Sequence, residues 1–167
     1  KRNALISNLG VEIDNIVLNH DFFTKSKIGD SRFKKQDYLT HAICLIHYNN
    51  KYPLKAVRFE HLYLELNLKA PISLITNTIK VLDWMSEIDA NSLKRITNKW
   101  SFIDVFWLLY ENLDRIRSVD YKMFGDKFSQ FEGRRISIKE PKVLLGKPEP
   151  LIANVHLFNY IMAFKTE

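Results

Sequence analysis

One cysteine, Cys44, serves the whole 167-residue chain. An internal disulfide is therefore impossible, and no Asn-x-Ser/Thr acceptor occurs, so a reducing compartment, the cytoplasm, is expected. Long apolar runs are also missing. The longest, around Val105-Phe106-Trp107-Leu108-Leu109-Tyr110, is far short of the ~20 residues that span a bilayer, and no membrane partner is expected. The five glycines form neither a GxxxxGK[ST] loop nor a GxGxxG turn, the five histidines offer no HExxH, and no GxSxG elbow is present. The familiar phosphate-cradling, metalloprotease and nucleophile-elbow signatures are thus absent, and neither a cofactor nor a metal is expected in this chain.

What remains is ordinary globular composition, 46% apolar and 26% charged, with no sign of disorder or of a fibrous repeat. This length suits one domain with a real core, here taken as residues 1–167. Ala4, Leu5, Ile6 and Leu9 read as the apolar side of a helix already under way at Lys1 and closed by Gly10. The chain is accordingly expected to be a fragment of a larger protein.

Apolar residues then recur at helical steps along most of the chain. Val11 to Phe23 reads as a turn or short helix, and Lys25 to Lys35 as a polar, basic loop around Gly29-Asp30-Ser31. Leu39, Ala42, Ile43 and Ile46 mark a helix from Lys35 to Tyr48. Leu54 to Leu68 reads as a helix, although Leu62, Leu64, Leu66 and Leu68 alternate like a strand. Pro71 opens the next helix, which runs to about Ile88. Ser101 is read as an N-cap with Asp104 at the third position, starting a helix to Ile116 whose wide apolar stripe makes it the expected centre of the bundle. Phe124, Phe128 and Phe131 predict a helix ending near Gly133, and Leu151 to Phe164 a last one after the irregular Pro141 to Pro150. The fold class is all-α, an irregular or orthogonal bundle of roughly six to eight helices.

Several side-chain groups invite a chemical reading. His41, Cys44 and His47 lie at three-residue steps, but on a helix His41 and His47 diverge by roughly 120° and do not converge on one ion. A buried Cys44 between two partly exposed histidines is the plainer expectation. A mid-helix thiol also lacks the electropositive helix start that activates a nucleophile. Asp83, Glu87 and Asp89 read as a solvated helix face. No catalytic residue is assigned.

Net charge is +6 and the pI is near 9.3, a balance that permits a polyanionic partner. The densest positive groups are Lys25, Lys27, Arg32, Lys34 and Lys35, leading into a helix start, and Arg134-Arg135. Both supply the charge and donors that phosphate needs. The competing reading is a mixed-charge solvated surface, with Arg32 tying the loop to Asp37 or a neighbouring carboxylate. A helix-turn-helix with Leu54 to Leu68 as recognition helix fits poorly, because that segment has few donors for base edges and carries Glu60 and Glu65.

The run Leu9-Gly10, Phe22-Phe23, Arg32-Phe33-Lys34-Lys35-Gln36-Asp37 resembles the helical portion of the GmrSD-like restriction-endonuclease N-terminal family. Ser101-Phe102, Phe131-Glu132-Gly133-Arg134-Arg135 and Tyr160-Ile161-Met162-Ala163-Phe164-Lys165 resemble later landmarks of the same region. In that family a ParB/sulfiredoxin-like portion with a D-G-Q-Q-R motif precedes the helices, and this sequence has no such motif. The resemblance implies a noncatalytic helical module of a modification-dependent restriction or anti-phage protein, with DNA and a nuclease domain of the same parent as partners. The alternative is a protein-interaction or oligomerisation module unrelated to DNA.

Overall fold

The computed structural model describes residues 7–67, 70–115, 118–146 and 149–165, with the side chains of Arg32, Phe164 and Lys165 outside that description. Among these residues the chain forms eight α-helices and no strand, the all-α bundle expected. They are α1 (Asn8–Asn19), α2 (Asp21–Lys25), α3 (Lys34–His47), α4 (Ala56–Glu65), α5 (Ile72–Asn91), α6 (Lys99–Glu111), α7 (Tyr121–Ser137) and α8 (Ile152–Lys165). Short 3-10 turns at Ser31–Phe33 and Pro141–Leu144 precede α3 and α8.

Helix starts and stops differ from the sequence expectation in informative ways. Gly10 does not close a helix; it lies in the first turn of α1, where the Ser7 hydroxyl accepts its N–H at 3.0 Å. The expected helix over Ala4, Leu5 and Ile6 lies outside the described residues. Leu9, Ile13, Ile16 and Val17 then form one buried stripe, so the expected short segment after Gly10 is instead a full helix. Likewise α6 starts earlier than Ser101. Asn98 is its cap, accepting the Ser101 N–H at 2.9 Å, while the Ser101 hydroxyl donates back to the Asn98 carbonyl. An Asn at this position caps as well as Ser, and Ser101 is a buried residue of the first turn. Gly133 is also interior, with α7 continuing to Ser137 and Arg134-Arg135 in its last turn, where cations suit the helix dipole.

The centre belongs to α3 rather than to α6 alone. Every residue from Tyr38 to Ile46 is buried, because α1, α4, α5 and α6 all pack against this helix. His41 is therefore buried rather than partly exposed, its ring 4.2 Å from that of Phe59. From α6 come Phe102, Ile103, Val105, Phe106 and Leu109, all buried, while Ile116 lies outside the described residues. Phe102 sits at the junction, its ring 5.5 Å from Phe22, 5.7 Å from Tyr38 and 5.9 Å from Phe106. Such offset aromatic contacts add to the burial of large apolar surface.

A second, smaller core lies at the C-terminal side. Leu144, Leu157 and Ile161 are buried against Phe131, Ile138 and Phe158, which holds α8 and its preceding turn on the end of α7. Arg134 donates to the Asn154 side chain, and the rings of Phe131 and Tyr160 lie 4.9 Å apart across the same junction. Thus α7 bridges both cores, with Phe124 and Phe128 on the main one and Phe131 on the other.

Candidate nucleic-acid interface

The starts of α3 and α6 lie side by side. The Lys99 ammonium is 3.4 Å from the Asp37 carboxylate, and the Tyr38 hydroxyl donates to the Thr97 carbonyl at 3.5 Å. Two helix N-termini, each carrying partial positive charge, therefore face the same end of the bundle. No side chain caps the α3 start, whereas Asn98 caps α6.

The α5–α6 loop joins this end to the α2–α3 loop. Its anchor is Asp89, which the sequence placed on a solvated face and which is in fact 4% exposed. One Asp89 oxygen accepts the Ile96 N–H at 3.1 Å and the Ser92 hydroxyl at 3.3 Å. Burial raises this carboxyl above its ordinary range, and those hydrogen bonds with the nearby Lys94 and Lys27 only partly offset it. Leu93 and Lys94 are left-handed, at φ 58° and 55°, which turns the chain so that Lys94 donates to the Lys25 carbonyl. In return the Lys27 ammonium approaches the Leu93 carbonyl at 3.4 Å.

The lysines singled out in the sequence occupy unlike environments. Lys25 is exposed and pairs with Asp21 at 2.6 Å, which lowers the Asp21 carboxyl below its usual range. Exposed pairs of this sort contribute little net stability, so a phosphate can compete for such a lysine. Lys35 is different. Its side chain is 14% exposed and its ammonium lies 2.5 Å from Asp30, so in the free protein it closes the loop. Lys34 lies 5.7 Å from the centre of the Tyr38 ring. Phe33 is 63% exposed with φ 59°, a conformation bulky residues avoid. Arg32 was expected to tie the loop to Asp37 or a neighbour, but its side chain lies outside the described residues.

Arg134 and Arg135 make contacts within the C-terminal unit. Arg135 Nε donates to one oxygen of the buried Glu132 at 2.9 Å, and Nη2 pairs with the same oxygen at 2.9 Å. Arg95 reaches toward them, with Nη1 donating to the Ser129 carbonyl at 3.0 Å and lying against Gly133. The α5–α6 loop thus touches both basic segments, through Lys94 on one side and Arg95 on the other. Lys94, Arg95 and Lys99 were missed in the sequence because single cations scattered over a loop give no local signal.

Other reactive groups are engaged in packing or ion pairs. Burial pushes the Cys44 thiol up to about 11, which keeps it protonated at neutral pH. His47 Nε2 and the Tyr48 hydroxyl meet one oxygen of Glu65 at 2.9 and 3.0 Å, and Arg58 stacks over the rings of Tyr48 and Tyr52. Among the described residues, no three His, Cys, Asp or Glu side chains come together as ligands for a metal ion, and no helix is long and apolar enough to cross a membrane.

The class defined by this structure is an all-α bundle. Compared with protein-family models, with curated proteins and with solved structures, the chain has no match.

Proposed function

We propose that this domain is a noncatalytic module that holds DNA by its phosphates at the basic end, within a modification-dependent restriction or anti-phage protein whose nuclease portion lies outside this chain. The observation that carries the DNA contact is the meeting of the α3 and α6 starts with Lys25, Lys27, Lys34, Lys94 and Lys99. Cations gathered beside helix N-termini suit a phosphate backbone, and lysines position a duplex without reading its bases. The restriction setting rests on the family resemblance alone.

Fluorescence anisotropy with unrelated duplexes at several salt concentrations tests the contact. Affinity should fall steeply with salt, and Lys25→Ala with Lys27→Ala should weaken all duplexes about equally while reducing the log–log salt slope by roughly one to two. Absence of binding at low salt, or a slope unchanged in the double variant, sinks the proposal. One observation favours the second reading, a protein ligand. A groove of about 370 Å³ between α1 and the start of α5 is lined by Val11, Ala70, Ile72 and Ile75 together with Asn8, Glu12 and Thr76, and Val11 and Ile72 are 54% and 70% exposed.

A further inference from the structure

His20 is the single residue between α1 and α2, and its backbone and its ring serve different helices. The backbone N–H closes α1, donating to the Ile16 carbonyl at 2.9 Å. The ring opens α2, because Nδ1 accepts the Phe22 N–H at 3.1 Å in the place of the side-chain oxygen of an ordinary N-cap. A backbone N–H can only donate, so Nδ1 carries no proton and the neutral ring holds its hydrogen on Nε2. That second nitrogen lies 3.2 Å from the Asp83 carboxylate of α5, with the His20 side chain 11% exposed. Each ring nitrogen is thus committed to a different helix.

A histidine takes its second proton on the bare nitrogen, and here that nitrogen caps α2. Proton uptake therefore strengthens the pairing with Asp83 while abolishing the cap. Phe22 is 2% exposed, so its N–H, once released from Nδ1, reaches water only if the turn opens. On α5, Lys80 and Glu87 stand one turn to either side of Asp83, whereas the last turn of α1, Ile16 to Asn19, carries no charge. Within α2, Asp21 is paired with Lys25, and α6 reaches this helix through the uncharged ring of Phe102. We infer that His20 is a proton switch for α2: uptake of a proton on Nδ1 releases the Phe22 N–H and loosens the start of the helix. The opening begins under the basic loop, since the Lys25 carbonyl at the end of α2 receives Lys94 and the chain continues into Lys27. The switch acts whether or not that loop meets phosphate.

Nuclear magnetic resonance on the full chain tests this, with ring nitrogen shifts reporting the tautomer and proton count of His20 and amide exchange reporting Phe22. The Phe22 protection, corrected for the pH dependence of exchange in an unstructured chain, should fall at least about fivefold as the His20 ring takes its proton, the low end for an unpaired buried N–H. His20→Asn keeps a capping oxygen without a titrating ring, so its Phe22 protection should stay constant over the same range. A hydrogen found on Nδ1 of the neutral ring overturns the inference. So does a ring that titrates while Phe22 protection is unchanged, or one that stays neutral until the whole chain unfolds. An equal fall in His20→Asn also overturns it, since that assigns the opening to another group such as Asp21 or Asp83.

Discussion

Gly125 of α7 and Asn91 of α5 approach so closely that a Cβ on Gly125 would come within 2.7 Å of the Asn91 Cβ, and as close to the Ile88 carbonyl oxygen. Neither neighbour can yield easily, because one is the root of a side chain and the other is helix backbone. Gly133, two turns on, presents the contrasting case, since its added methyl would meet the guanidinium of Arg95, the far end of a long side chain that can shift. Alanine favours a helix interior over glycine by ~1 kcal/mol, a gain available at both positions. Gly125→Ala should nonetheless destabilise by about 1–3 kcal/mol, the usual cost of overpacking, whereas Gly133→Ala should lie between neutral and about 1 kcal/mol more stable. Thermal or urea melts of both variants check the contrast.

Phe33 combines a strained backbone with an exposed ring at the basic end. Left-handed geometry costs a bulky residue roughly 1–2 kcal/mol, and with 63% of Phe33 exposed there is little packing to lose. Asn tolerates this conformation. Phe33→Asn should therefore melt at the same temperature or higher, gaining up to about 1 kcal/mol. If the ring stacks on bases once the phosphates are held, the same variant should bind single-stranded DNA several-fold more weakly. A melt and a titration together separate the two effects, and a variant that binds as well as the parent leaves the ring without a role in binding.

Asp89 predicts a pH dependence of definite sign. Because its folded carboxyl titrates above the ordinary value of about 3.9, the folded state holds the proton more tightly than the unfolded one. Stability from this group is therefore greatest below the unfolded value and declines as pH rises through the folded one. Asp89→Asn keeps an acceptor for the Ile96 N–H and should stay within about 1 kcal/mol of the parent at neutral pH, with that decline removed. Asp89→Ala leaves the buried N–H unpaired and should cost about 1–3 kcal/mol at low pH, the difference shrinking as the parent declines with rising pH. Urea titrations across the acid range distinguish the variants, and an Asn variant with the parent's slope would assign the effect to another group.

Much of the helical architecture could be read locally. The steps of Leu39, Ala42, Ile43 and Ile46 mark α3, and those of Phe102, Val105, Phe106 and Leu109 mark α6, because a 3.6-residue period is written into neighbouring residues. Helix ends were less legible. Gly10 and Gly133 looked like terminators, but a glycine ends a helix only where the chain turns left-handed, and in the described residues that geometry falls on Phe33, Asn49, Asn50, Leu93 and Lys94 instead. Asp89 looked solvated because its role lies in the Ile96 N–H, seven residues away around a turn that no periodicity describes.

Composition and spacing by themselves determined that this chain is a helical domain with surplus positive charge, since burying an apolar stripe and solvating a charge are properties each residue carries into any fold. They also picked out the segments Lys25 to Lys35 and Arg134-Arg135, but as unrelated groups. Only the tertiary structure decided that the α5–α6 loop lies between them, with Lys94 on the Lys25 carbonyl and Arg95 on the Ser129 carbonyl. It alone also decided that α3 is enclosed by four other helices over its uncharged stretch after Asp37, while α8 is held by the end of α7 and the Pro141–Leu144 turn. The physical reason is the same in each case. A charge or an apolar face acquires its meaning from what stands opposite it, and contacts between residues far apart along the chain are set by how whole helices pack.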